Sequence, residues 1–141
     1  MERDCGAWIN LLSRKVKKHL NATLADLGIT GVQSRIMHYI LVHYEDGPVF
    51  QKDVEEAFGL SRSTATGILQ LLEKNGVIVR ESVESDGRLK SLVPTRKAVE
   101  LDSKVRTSVR KIEQLMTQGI SSGQLELFYE TVTKMSANLD A

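Results

Sequence analysis

One cysteine, Cys5, stands in 141 residues, so no internal disulfide can form and nothing marks the chain for an oxidising compartment. Prolines number two and aromatics make up 5%. So few prolines let helices run long, and so few aromatics disfavour a sandwich or barrel and suit helices packed with Leu, Ile and Val. No apolar run approaches the ~18 residues of a membrane-spanning helix. The opening MERDCGAWIN has no apolar signal core. The expected compartment is the cytoplasm, with no membrane partner. Charge of one sign is missing too: 19 Lys and Arg against 18 Asp and Glu leave a formal +1.

The 141 residues are enough for one domain with extensions and a sizeable core, at 41% hydrophobic and 26% charged. Residues 7–27 are predicted to be a helix. Trp8, Leu12, Val16, Leu20, Leu24 and Leu27 recur every three or four positions, opposite Arg14, Lys15, Lys17 and Lys18, and Gly28 stops it. Thr30 is a suitable N-cap for a second helix over 31–44, with Ile36, Tyr39, Ile40 and His43 on one face. A turn follows at Glu45-Asp46-Gly47-Pro48, and Val49-Phe50 has the look of a short strand. Residues 96–118 read as a long helix ended by Gly119, and Ser121 with Gln124 is a capping box for a last helix. In that helix Leu125, Phe128, Val132, Met135 and Leu139 form a narrow seam suited to pairing with another helix. The long outer helices carry more apolar surface than the small central module can cover, which predicts a homodimer.

The central segment is the most informative. Residues 51–58 form a short helix with Val54, Ala57 and Phe58 inward, and Gly59-Leu60-Ser61 is a turn in which Ser61 caps the next helix, 62–74. Two helices joined by a short Gly-containing turn are a helix-turn-helix. In the second, Ala65, Ile68, Leu69 and Leu72 face inward, while Ser63, Thr64, Thr66 and Gln70 point elsewhere. Short polar side chains let a helix approach base edges, and Arg62 can reach a guanine edge or a phosphate; the helix N-terminus itself favours phosphate. Gly67 costs this helix roughly 1 kcal/mol relative to Ala. Close packing is the usual reason for such a residue, close approach to DNA the rarer one. Strands at 77–80 and 89–93, joined through an Asp86-Gly87 turn, make a hairpin or wing. Arg88, oriented by Asp86, and Lys90 could then contact a minor groove or the backbone. Each segment also has a bland reading, a capped surface helix and a solvated hairpin tip.

Their order is more specific than either part. From Leu27 to Ala98 the chain resembles the MarR family of bacterial transcriptional regulators. The likeness is carried by Leu27-Gly28-Ile29-Thr30 with Gln33, by Gln51 with Asp53-Val54, and by Ser61, Thr64-Ala65-Thr66, Leu69, Leu72-Glu73 and Gly76. Asp86 with Arg88, and Pro94-Thr95 with Ala98, complete it. The resemblance implies an obligate homodimer, usually a repressor, reading a palindromic operator with two helices and two wings. It also implies, for many members, release by a small phenolic or other anionic effector bound between the dimer region and the reading module. Ala65 stands where the family often has Val, Pro94 replaces a frequent Leu and Ala98 a frequent Gly, and the wing is less basic than in many members.

The fold class expected is therefore mainly α with a small β-hairpin wing. The winged helix-turn-helix occupies 31–96, between helical dimerisation regions at 1–30 and 97–141. Double-stranded DNA is the expected partner, contacted through Ser61, Arg62, Ser63, Thr64, Thr66, Asp86, Arg88 and Lys90. Residues 51–98 hold eight Lys and Arg against seven Asp and Glu, so binding must come from where cations stand, not from bulk charge. A protein-interaction module of the same fold is the competing reading. A redox-switched repressor using Cys5 is another, although Cys5, placed before the first helix, has Arg3 offset by Glu2 and Asp4. His19, His38 and His43 lack metal-ligand spacing, and no nucleophile–base pair or phosphate loop appears. No metal, cofactor or enzymatic activity is expected.

Overall fold

The computed structural model describes residues 3–83 and 86–141. Among them are α1 (Cys5–Asp26), α2 (Gly31–Tyr44), α3 (Gln51–Phe58), α4 (Arg62–Lys74), β1 (Ile78–Val83), β2 (Asp86–Pro94), α5 (Arg96–Met116) and α6 (Ser122–Leu139). This is the expected mainly helical chain with one antiparallel hairpin. It divides into two compact units, Met1–Val109 and Arg110–Ala141.

The first unit contains a hydrophobic core. Ile36, Met37 and Ile40 of α2, Val54 of α3, Leu69 of α4, Ile78 of β1 and Leu92 of β2 are all 0% exposed. Complete burial of one such side chain contributes roughly 1.5–3 kcal/mol. The caps that start these helices are those written in the sequence. Thr30 accepts from Gln33 N–H at 3.2 Å while the Gln33 carboxamide accepts from Thr30 N–H at 3.2 Å, which fixes the entry to α2. At α3 the Asp53 carboxylate accepts from Phe50 N–H at 2.9 Å. Several expected faces are corrected. Met37 is buried and His43 exposed, because the inward side of α2 follows Ile36, Met37 and Ile40. Ala57 is exposed, since the short α3 buries only Val54 fully.

α1 begins at Cys5, two residues earlier than the apolar stripe suggested, because Asp4 caps it by accepting from Ala7 N–H at 3.2 Å. Cys5 therefore opens the helix and is exposed. Of the stripe only Leu24 is buried; Trp8 and Leu12 remain 46% and 45% exposed.

The wing also differs from expectation. Val49 and Phe50 form no strand, but Val49 C=O accepts from Leu92 N–H at 2.7 Å and so ties β2 to the approach of α3. β1 and β2 pair from Ile78↔Pro94 to Val83↔Asp86, with an irregularity between Ser82 and Val83. Asp86 and Gly87 thus lie in β2 and are not the bend, because Asp86 pairs with Val83 beyond the irregularity. Residues 84 and 85, which join the strands, lie outside the described residues, as does the Asp86 side chain with its expected link to Arg88.

The second unit has a different character. Ser121 and Gln124 form the expected capping box, yet no side chain of α6 is buried. Leu125, Val132 and Met135 are half-covered, whereas Phe128 is 51% and Leu139 86% exposed. Among the described residues no helix is long and apolar enough to cross a membrane.

Candidate nucleic-acid interface

The turn between α3 and α4 is set by Gly59, whose φ of 62° is left-handed and leaves its N–H to close on Glu55 C=O. Ser61 then caps α4. Its Oγ accepts from Thr64 N–H at 3.2 Å and donates to Thr64 Oγ1 at 2.9 Å, with Ser63 Oγ 3.4 Å away. The four residues from Ser61 to Thr64 are exposed as a group at the helix start. Inward, Ala65, Leu69 and Leu72 lock the helix onto the core.

Thr66 is placed otherwise. It is half-buried, its hydroxyl donates to Arg62 C=O at 2.8 Å, and it accepts from Gln51 Nε2 at 2.9 Å. Gln51 Nε2 also reaches Arg62 C=O at 3.3 Å. Thr66 and Gln51 therefore hold the start of α3 against the first turn of α4. A hydroxyl so engaged positions the helix as much as it presents a contact.

Beside this first turn lies an open groove of about 510 Å³ between α3, α4 and the hairpin. Lys52, Arg62, Arg80, Arg88 and Lys90 line it, with Glu55 as the one carboxylate among the described residues, alongside Phe50, Gln51, Thr66 and Leu89. A chain of net charge +1 has thus gathered five of its cations around one cleft. Lys90 Nζ donates to Ser82 Oγ at 2.9 Å across the ladder, and Arg80 lies 3.7 Å from Glu73, bracing β1 against α4. The structure brings Arg62, Thr66, Arg88 and Lys90 to the groove, while Ser61, Ser63 and Thr64 stand on α4 without lining it. Lys52, Arg80 and Gln51 were not among the expected contacts; three segments distant in sequence build this cleft, and only the basic character of Lys52 and Arg80 hinted at it.

Three further observations concern the rest of the first unit. His38 Nδ1 is 3.2 Å from both Asp102 carboxylate oxygens, tying α2 to α5. Arg106 Nε is buried without a hydrogen-bond partner among the described residues and lies 3.8 Å from the same carboxylate. Among the described residues no three His, Cys, Asp or Glu side chains cluster as metal ligands would.

A sequence model of the MarR family matches residues 27–89, the span from the end of α1 to the middle of the wing. Those residues are a MarR-family winged helix-turn-helix. Around this MarR-family module the whole chain shares its fold with solved structures of MepR from Staphylococcus aureus. MepR, a transcription regulator of the multidrug efflux pump MepA, matches with a TM-score of 0.83 at 22% identity, over 96% of this chain and 98% of that one. The MepR–DNA complex matches with a TM-score of 0.78 at 22% identity over 96% of each chain. MepR bound to ethidium bromide matches with 0.68 at 23% identity over 96% of each. The departures of this chain from the usual MarR-family residues fit its fold: Ala65 and Ala98 are fully buried, and Pro94 closes β2 opposite Ile78.

Proposed function

We propose that the chain is a homodimeric, sequence-specific DNA-binding regulator that represses transcription from a two-fold symmetric operator and performs no chemistry of its own. Residues 31–96 form the reading module and residues 1–30 with 97–141 the dimerisation region. The observation that carries the reading is the five-cation groove flanked by the exposed polar start of α4. In this reading Arg62, Ser63 and Thr64 meet base edges, with Ser61 and Thr66 fixing the helix. Arg88 and Lys90 of the wing meet the backbone or minor groove, with Asp86 beside them. The cations gathered around the groove support DNA binding by a chain of net charge +1. Support for the dimer comes from the apolar surface left on each unit, Trp8 and Leu12 on the first, Phe128 and Leu139 on the second. MepR has been solved with DNA, which favours the same partner here.

Selection of duplexes from a randomised library tests this. The expected product is an inverted repeat with half-sites centred about one helical turn, ~34–36 Å, apart. Enrichment of no sequence by a dimeric protein would favour the protein-interaction module instead.

The reading extends to an effector. A hollow of about 330 Å³ is lined by Arg35, His38, Tyr39, Val42, His43, Phe58 and Arg106. Tyr39 meets Phe58 edge-on, with centroids 5.7 Å apart. Aromatic walls with two arginines, Arg106 having a buried Nε that makes no hydrogen bond among the described residues though it lies 3.8 Å from Asp102, suit a small aromatic anion. MepR has been solved with ethidium, a cation, so the two charges make a clean comparison. Salicylate is expected to raise the melting temperature and to release DNA, and Arg106→Ala to abolish both effects. A response to ethidium alone would reverse the assignment.

A further inference from the structure

We propose that Gly67 is a specificity-determining position of the reading helix, a deliberate gap that sets how closely α4 approaches the floor of the major groove. The inference rests on the DNA-binding reading and deepens it.

Glycine inside a helix weakens it relative to alanine, so its presence asks for a reason. Three ordinary reasons are excluded by position and geometry. Gly67 sits in the middle of α4, not at a cap. It is not among the glycines with positive φ, so its backbone is one that alanine would adopt without strain. A Cβ built on it meets no described atom within 4 Å, so no neighbour in the protomer needs the space.

The direction of that empty space follows from the helix itself. Residues turn by about 100° each, and Ala65, Leu69 and Leu72 mark the buried side. Ser63, Gly67, Gln70 and Lys74 then fall on the side facing directly away from the core, and all four are exposed. Gly67 is the lowest point of that outermost ridge. Whatever lies against the ridge touches helix backbone at Gly67 before it meets a side chain there. The neighbours on the ridge are polar: a hydroxyl, a carboxamide and an ammonium, which match base-edge acceptors, base-edge donors and phosphate. The cation groove lies on the flank of the same helix, at Arg62 and Thr66. Polar neighbours and adjacent cations favour a nucleic-acid surface over an apolar protein face. A side chain at position 67 would hold the axis away from the bases and carry Ser63 and Gln70 out of reach.

The inference makes stability and binding move in opposite directions. Wild type, Gly67→Ala and Gly67→Leu would be compared for thermal melting without DNA and for affinity toward the duplex that wild type selects from a randomised library. Gly67→Ala is expected to melt roughly 2–4 °C higher and to bind about tenfold more weakly, the scale of one lost base contact. Gly67→Leu is expected to bind about a hundredfold more weakly, with reselection returning a different or degenerate half-site centre. Both variants binding within twofold of wild type would overturn the inference and leave the DNA reading intact. A lower melting temperature for Gly67→Ala would overturn it as well, since the glycine would then serve the fold. If wild type selects no sequence, the DNA reading fails and takes this inference with it.

Discussion

The two compact units solve the problem of apolar surface differently. Among the described residues, every buried hydrophobic side chain lies between Leu24 and Val105, in the first unit. In the second, α6 has none, and Leu127, Phe128, Tyr129 and Leu139 are each at least half exposed. Burial of this kind is what distinguishes a module that can hold its own shape from a segment that gains its stability by association. The difference teaches where function should be sought. The first unit can present a rigid helix and wing because its core fixes them, and the second has the surface of an assembly element.

Truncation in the two regions breaks or sharpens that comparison most strongly. Leu69→Ala empties a site that is 0% exposed, and should cost about 2–5 kcal/mol in denaturant unfolding. The loss should be the same at any protein concentration. Leu127→Asp with Phe128→Asp removes apolar groups that are 64% and 51% exposed. It should leave the helical signal of the first unit intact while sedimentation shows a monomer and DNA affinity falls about a hundredfold or more. A double variant that stays dimeric would locate the interface elsewhere.

Smaller effects are expected within the reading face. Gln51→Ala breaks the hydrogen bonds to Thr66 and to Arg62 C=O, and should cost about 1 kcal/mol of stability. Because it loosens the first turn of α4, it should also lower affinity for the selected duplex severalfold. Arg88→Ala should leave stability unchanged, weaken binding severalfold and reduce the salt slope by about one unit per wing. An unchanged slope would remove the wing from the mechanism.

What was legible in the sequence was mostly local. α2, α3 and α4 have the bounds expected because their signals are short-range: the Thr30–Gln33 box, the Ser61 cap, the Gly59 turn and the Gly76 stop, which has a φ of 75°. The start of α1 was set by a cap, Asp4, that apolar periodicity does not register. The hairpin was misplaced because Asp-Gly is a strong turn signal, while here Asp86 and Gly87 belong to β2 and Asp86 pairs with Val83. Ala57 fell on the wrong face because the eight-residue α3 offers too few positions to fix a stripe, and His43 because the inward side of α2 runs through Ile36, Met37 and Ile40. The groove was the least legible feature. Its cations come from α3, α4 and both strands, so a linear count returned near-neutrality where the fold gathers five cations around one cleft, with Glu55 the one carboxylate among its described lining residues. Thr66 was expected to meet DNA, yet its partner Gln51 is separated from it by a whole helix and turn.

The claim on which the rest depends is that charge is placed, not plentiful. The measurement that tests it most directly is the affinity of the wild-type protein for its selected duplex across a series of salt concentrations. If the groove of each protomer of a dimer meets phosphate, log K should fall against log salt with a slope between about −4 and −9. A slope near zero, or binding that persists unchanged from low to high salt, would contradict the account.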